Sequence, residues 1–392
     1  MGVPEALFPR LPWDPRNPYP YYEHRRKEGN VVWDEDVGAW LVLGYRAARQ
    51  ILSDSGWIHP LSKPSVQAAM DPLGRELVNR NMLFVDGARH ARLRASLGDV
   101  FAPRNISQLA DAVASMADDI VGYVPSGTLF NFMDRIALPL PIAVAAAWLD
   151  VDANSLQLLR DQSPPISRML GEFADATAVA EGVTGLAALL TEFLPIGAHR
   201  RQQPGDDLLS FIASDPELEL EDVVMTSILL AVAGHETTAN MLGTAMFRLL
   251  RPNDQGIRLV DGIDSEDPSL VTELLRLDGP VQSTARTASR AHVVEGVEID
   301  VGQPAVVVLA AANRDPTIFE APEQFRTGRP TPAPLSFSHG AHHCVGAALA
   351  RLMIEVALRK TLARKPELAG DVVWREAAAI RGLKEVPLVF RS

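Results

Sequence analysis

The sequence predicts a mainly α fold with a small β-rich region. Three observations lead there. Apolar residues recur at helical spacing in four successive blocks from Leu109 to Arg200, and again from Glu221 to Leu250. Strand-like runs are confined to Val31–Val32–Trp33, Trp40–Leu43 and the part of the chain after Pro280. The only cysteine, Cys344, stands between Gly340 and Gly346, just before an apolar-periodic helix, Ala347 to Leu362.

In chain order, Pro18 to Lys27 reads as a short helix with a basic end, and Val31–Trp33 with Trp40–Leu43 as a hairpin. Ala47 to Leu52 is helical. Ser53 to Asn81 is poorly periodic and is expected to be a long loop with a short helix inside it. Ala88 to Phe101 forms a helix stopped before Pro103, with His90 and Arg94 on one face. Helices are then expected over Leu109–Val124, Phe132–Leu149, Ala153–Leu170 and Ala174–Arg200. The loop Gln202 to Asp207 ends in a helix cap. Ser269 to Leu277 is a helix, and Val293–Ile299 and Ala305–Leu309 are strands, with a turn at Glu295–Gly296.

Glu221 to Leu250 is the longest helical pattern, and its run Ile228 to Ala233 points to deep burial. Gly234–His235–Glu236–Thr237–Thr238 then places a glycine, an acid and two threonines in mid-helix, where all are locally unfavourable. Local rules fail most often where function demands it. Thr237 can bond back to the Ala233 carbonyl and open the helix beside a ligand, with Glu236 placed to pass protons. The alternative is a break between two helices with threonine as a cap.

The 392 residues are 47% hydrophobic, enough for a sizeable core, and carry a formal charge of −12. That charge argues against nucleic acid as the main partner. A lone cysteine excludes an intramolecular disulfide and fits a reducing cytosol. The first residues lack the apolar run of a signal peptide, no stretch is expected to span a membrane, and a cytoplasmic location follows.

A cysteine at a helix start can be a nucleophile, a redox sensor, a metal ligand or an inert buried thiol. The unpaired N–H groups there favour its thiolate. Gly340 and Gly346 clear side chains from both sides of the sulfur and suit close approach to a flat ligand. His342 is a donor within reach of a carboxylate on such a ligand.

Phe337-x-x-Gly340-x-His342-x-Cys344-x-Gly346 resembles the haem-binding loop of the cytochrome P-450 family. Ala233–Gly234-x-Glu236–Thr237–Thr238 resembles that family's oxygen-activation segment, and Asp86-x-x-x-His90-x-Arg92-x-Arg94 its propionate-holding helix. The likeness runs from about Pro15 to the C-terminus. It implies a single-domain fold, residues 1–392, with haem b (iron protoporphyrin IX) between the Glu221–Leu250 helix and the Cys344 loop.

The resemblance also implies roles. Cys344 would ligate iron, and Glu236 and Thr237 would manage protons for dioxygen activation. His90, Arg94, Arg286 and His342 would anchor the propionates, with Ala233, Gly234, Phe337, Gly340 and Gly346 against the cofactor. Glu273, Arg276 and Arg329 match a structural ion-pair network, and Ile380 to Leu388 a last hairpin. His343 departs from the pattern, replacing an aromatic residue.

The implied function is monooxygenation of a small lipophilic substrate with dioxygen, without membrane insertion. No Gly-x-Gly-x-x-Gly motif is present, so electrons are expected from outside the chain, and the resemblance implies a ferredoxin and its reductase as their source. Arg89, Arg92 and Arg351 are candidate docking residues. Substrate-pocket walls are expected from 64–83, 169–179, Leu230, Ala233, 281–285 and 382–383. A peroxide-driven peroxygenase and a non-catalytic haem gas sensor are the alternatives.

Overall fold

A computed structural model describes residues 11–391, apart from 71, 99, 172–175 and 378. The expected start of one helix at Ala174, and part of the expected pocket wall 169–179, lie outside the described residues.

The central element is the helix Leu220–Leu250, begun by Glu221 and Asp222 in its first turn and ended by Arg251 in extended backbone. Acids at that end complement the helix dipole. Its two halves serve different cores. Val223 to Val232 pack with Leu186, Leu189 and Phe193 of helix Ala176–Gln202 and with Leu159 and Ile166 of helix Ala153–Gly171. Ala239 to Leu250 pack with helices Ala110–Gly122, Pro139–Leu149, Leu270–Asp278 and Ala347–Ala363. The stretch between, 233–238, touches the cores only through Ala233 and faces a cavity with five of its six residues.

The expected helix Phe132–Leu149 divides. Proline at 139 has no N–H to extend the ladder, and the chain forms a π-helical turn, Met133–Ala137, before the α-helix Pro139–Leu149. The segment 53–81 holds more order than expected: a strand Trp57–Ile58, a short 3-10 turn and two helices, Pro64–Ala69 and Pro72–Asn79. Helix Gly87–Ala95 ends earlier than the pattern to Phe101 suggested.

The β-rich side is a five-stranded sheet in the order Val31–Asp34, Ala39–Val42, Pro304–Val307, Thr284–Ala288, Trp57–Ile58. Only the pair of Ala39–Val42 with Pro304–Val307 is parallel. The expected turn at Glu295–Gly296 closes the hairpin His292–Val294 with Val297–Ile299, both turn residues at positive φ (47° and 84°). The last expected hairpin is drawn differently. Leu383–Glu385 pairs with Val373–Trp374, whereas Pro387–Phe390 joins Leu129–Asn131 and Pro366–Leu368 in another sheet.

One helix, Thr177–Gln202, is long and apolar enough to cross a membrane by length and composition, contrary to expectation. Its exposed positions include the polar Glu181, Thr184, Thr191 and His199 besides Ala180 and Pro195, while Leu186, Leu189 and Phe193 are buried. That is the pattern of an amphipathic helix on a globular core.

Candidate active site

A cavity of about 2070 Å³ lies between the central helix and the Cys344 loop. Cys344, Phe337, His342 and Gly346 line it from the loop, Ala233, Gly234, Glu236 and Thr237 from the helix, and His90, Arg94 and Arg286 from other elements. Eleven of the twelve site residues expected from the sequence thus meet in one space.

Gly340 is the twelfth, and it does not line the cavity. Its φ is 73°, and a Cβ built on it would stand 2.0 Å from the Leu52 carbonyl oxygen. It is glycine because the loop turns left-handed against helix Tyr45–Ser53, not because a flat ligand approaches it. Gly340→Ala is therefore expected to cost about 1–3 kcal/mol from backbone strain alone. A lowered Tm with the thiolate signature kept in the surviving folded fraction would check this; an unchanged Tm would contradict it.

The cysteine loop is braced by its own backbone. The Cys344 N–H donates to the Phe337 carbonyl at 2.9 Å, and helix Ala347–Ala363 starts three residues on. Ser338 takes φ 62°, unusual for a non-glycine, and its buried hydroxyl has no hydrogen-bond partner. The Cys344 sulfur is accessible from the cavity. Burial pushes its thiol up, and the Gly346 N–H and Arg94 only partly oppose this. The helix start alone does not make a thiolate, contrary to expectation. A bound cation at the sulfur would.

Two cations without acid partners, Arg94 and Arg286, also line the cavity. Arg286 is 5% exposed and donates to the Thr284 hydroxyl at 3.0 Å and the Ala285 carbonyl at 2.7 Å, both neutral. Among the described residues, neither Arg286 nor Arg94 has a carboxylate within ion-pair distance. Burial holds both guanidinium pKa values down. Such groups call for anionic partners. The two propionates of haem b fit this demand, and the cysteine beside the same space fits its iron.

The His342 Nε2–H donates to the Asp86 carboxylate Oδ1 at 2.9 Å, and the His342 ring lies 4.1 Å from that of His90. Burial would raise the Asp86 carboxyl, but bonds from His342 and from the His59 N–H at 2.7 Å hold it at about 2. His90 is pushed down to about 4 by burial, then by His342 and Arg94, so it stands neutral. His59 completes this cluster; it also lines the cavity and was not singled out from the sequence.

On the central helix, Thr237 Oγ1 donates to the Ala233 carbonyl at 2.7 Å, the expected back-bond, yet the helix runs on unbroken. A Cβ on Gly234 would meet nothing within 4 Å, so the glycine leaves open space rather than relieving a clash. Its cost of about 1 kcal/mol against alanine is accepted in mid-helix. Glu236 is 6% exposed, and burial raises its pKa against Arg375 (3.8 Å) and a bond from Ser167. His235 does not line the cavity, and burial lowers its pKa to about 4, partly opposed by the Leu138 backbone.

A raised carboxyl pKa keeps Glu236 protonated to higher pH than usual, so proton-dependent turnover should fall as pH rises through that value. Glu236→Gln is expected to lower product formed per electron by about 10²-fold, in the range of a lost acid–base group, and to erase that alkaline limb. A pH profile of coupling efficiency reads both; an unchanged profile would remove Glu236 from the proton path.

Pocket walls agree in part with expectation. Met82, Leu83, Leu230, Val281 and Ala285 line the cavity. Gly382 and Leu383 do not: Gly382 packs on Asn240, where a Cβ would come 2.2 Å from Oδ1, and Leu383 is fully buried in the core. Ile380 and residues 373–377 take their place. Pro164, Pro165 and Ser167 also line it and were missed, because only tertiary packing brings helix Ala153–Gly171 over the site.

This arrangement defines a binding site for a flat, dianionic, metal-bearing cofactor. The family model for cytochrome P450 matches residues 268–364. The chain is 34% identical to the cytochrome P450 monooxygenase PikC of Streptomyces venezuelae, over 96% of this chain and 91% of that protein. It is 32% identical to a vitamin D(3) 25-hydroxylase of Pseudonocardia autotrophica, over 98% and 96%. The structure of P450BioI in complex with hexadec-9Z-enoic acid ligated acyl carrier protein superimposes with a TM-score of 0.88 at 29% identity, covering 96% and 99%. The chain belongs to the cytochrome P450 family, whose members use haem iron. Its relatives are monooxygenases and hydroxylases, and it is an oxidoreductase of that type.

Proposed function

We propose that the chain inserts one atom of dioxygen into a small lipophilic substrate, with electrons from an external ferredoxin and its reductase. The observation that carries this reading is the convergence on one cavity of Cys344, two cations lacking acid partners, and the pair Glu236–Thr237. In this reading Cys344 ligates the iron, and Arg94, Arg286, His90 and His342 hold the propionates. Phe337, Gly346, Ala233 and Gly234, which line the same cavity, would lie against the macrocycle. Haem iron supplies the dioxygen chemistry, and an anionic sulfur ligand favours O–O cleavage.

The chain's own residues do the rest. The Thr237 hydroxyl spends its proton on Ala233 and so presents its lone pairs to the cavity, where they hold a water. Glu236 keeps a proton on its carboxyl for exchange with such a water. Met82, Leu83, Leu230, Val281 and Ile380 exclude bulk water and orient an apolar molecule.

The docking surface needs revision. Arg89 and Arg92 are taken up by Asp222 and Asp215, each at 2.5 Å, and Glu217 stands 3.3 Å from Arg92. Arg351 donates to the Thr272 hydroxyl at 2.8 Å, and among the described residues has no carboxylate partner. It lies over Phe337 of the cysteine loop, 5.2 Å from its ring. Arg351 is the docking cation this geometry favours for an acidic ferredoxin.

The test is reconstitution with ferredoxin, reductase and NADPH under labelled dioxygen, on compounds selected by a shift in the iron spin state. Expected is a product carrying one labelled oxygen atom. Product with hydrogen peroxide alone, and none with reduced ferredoxin, would favour the peroxygenase; no product under either would overturn catalysis on these compounds.

A further inference from the structure

Arg375 is the charged group beside the site that the reaction described above leaves without a role. It follows the strand Val373–Trp374, which pairs with Leu383–Glu385 in a register that shifts between Val373 and Trp374. Such irregularities re-aim side chains next to active sites. Two contacts press this hairpin on the central helix. Trp374 meets Phe247 edge-on, with ring centroids 5.9 Å apart. Gly382 packs so closely on Asn240 that any side chain there would collide with its amide. The Arg375 N–H donates to the Gly382 carbonyl at 3.0 Å. Asn240 lies one turn beyond Glu236, so the guanidinium comes to rest beside that acid, Nη1 3.8 Å from Oε1. The Arg375 side chain is 30% exposed against 8% for Glu236. Among the described residues, Arg375 has no other carboxylate within ion-pair distance.

We propose that Arg375 is a positioning residue for Glu236: it fixes the carboxyl group beside the cavity and sets the pH at which that acid gives up its proton. This rests on Glu236 serving the monooxygenase as its proton-carrying acid, and adds the residue that tunes it. Arginine keeps its own proton throughout, so its part is electrostatic. A cation at this distance favours the carboxylate, and burial opposes it. Burial alone would leave Glu236 holding its proton to still higher pH. Arg375 brings it back toward working pH, where an acid both gives and regains a proton readily. The other groups around Glu236 do not supply that charge. His235 on the same helix is neutral, and Ser167 of helix Ala153–Gly171 offers only a hydroxyl. Arg160 of that helix is exposed and acts on His235. Glu376 and Lys384, next to Arg375 along the cavity, are exposed and opposite in sign.

The experiment titrates the haem-loaded protein by infrared spectroscopy, following the C=O stretch of the protonated Glu236 carboxyl, assigned by its loss in Glu236→Gln. In Arg375→Leu and in the milder Arg375→Gln the band is expected to persist to a pH about one unit higher than in the parent, the low end of the shift for an opposite charge so near. Arg375→Lys keeps the cation and should titrate close to the parent. The alkaline limb of coupling efficiency, read on the compounds selected by spin-state shift, should move with the band. It should be absent from Glu236→Gln whether or not Arg375 is also replaced. The reduced carbon-monoxide spectrum reports an intact thiolate site in each variant. A band that titrates at the parent pH in both Arg375→Leu and Arg375→Gln would overturn the proposal, as would an equal upward move in Arg375→Lys. Loss of the thiolate signature in the parent, or a coupling limb that ignores the Glu236 titration, would instead sink the reading on which the proposal rests.

Discussion

Cys344→His is expected to reduce monooxygenation by roughly a thousandfold or more, equivalent to about 4 kcal/mol at the barrier. The chain has no second cysteine, so nothing nearby can replace the sulfur. An imidazole can still bind iron, and the cations Arg94 and Arg286 that match the propionates are untouched. Haem retention is therefore expected to survive at least in part, while the electron-rich anionic ligand is lost. The structure sharpens this. Burial pushes the free thiol up, and Arg94 and the Gly346 N–H compensate incompletely. In the proposed reading the sulfur would therefore be held as an anion by the iron rather than by its loop. The measurement is the Soret band of the reduced carbon-monoxide complex, alongside product formation in the ferredoxin system. A variant that kept the parent spectrum and turnover would remove Cys344 from the centre of the mechanism.

The site was legible in the sequence where chemistry leaves a short local imprint. Cys344 between glycines, His90 and Arg94 one turn apart, and Glu236–Thr237 breaking an apolar helix are each visible within about ten residues. The fold was legible for the same reason in its long helices, where periodicity averages over many positions. What failed depends on contacts remote in sequence. Gly340 is indistinguishable from Gly346 in the motif, yet one meets the Leu52 carbonyl and the other open space. Arg89 and Arg92 read as free cations until Asp222 and Asp215 fold against them. Arg375 and Ser167 meet Glu236 only through tertiary packing, across 139 and 69 residues respectively.

Glu273→Ala is expected to cost about 3–5 kcal/mol, the range for breaking a buried ion pair on one side. Native stabilities of about 5–15 kcal/mol leave little after such a loss. Glu273 is 4% exposed and Arg276 2%. The carboxylate binds Arg276 through both oxygens at 2.7 Å, Arg329 Nε at 3.0 Å, and the Arg326 N–H at 2.9 Å. Arg276 in turn donates to the carbonyls of Asn313, Pro322 and Gln324. Helix Leu270–Asp278 is thereby tied to the irregular chain that leads into the cysteine loop, and Ser336 on that chain donates to the Leu275 carbonyl. Removing the acid strands two arginines in the interior and frees the approach to Cys344. Burial opposes the Glu273 carboxylate, but its arginine and backbone bonds outweigh this and hold its pKa below the usual range. The sign follows: its stabilisation is present above the unfolded pKa and is lost as pH falls through the lowered folded value. Acid unfolding of the parent should therefore show a component that is missing in Glu273→Gln. Thermal melts across pH, together with the haem-to-protein absorbance ratio, measure both effects. Equal stability and equal haem content in parent and variant would show that the network is dispensable.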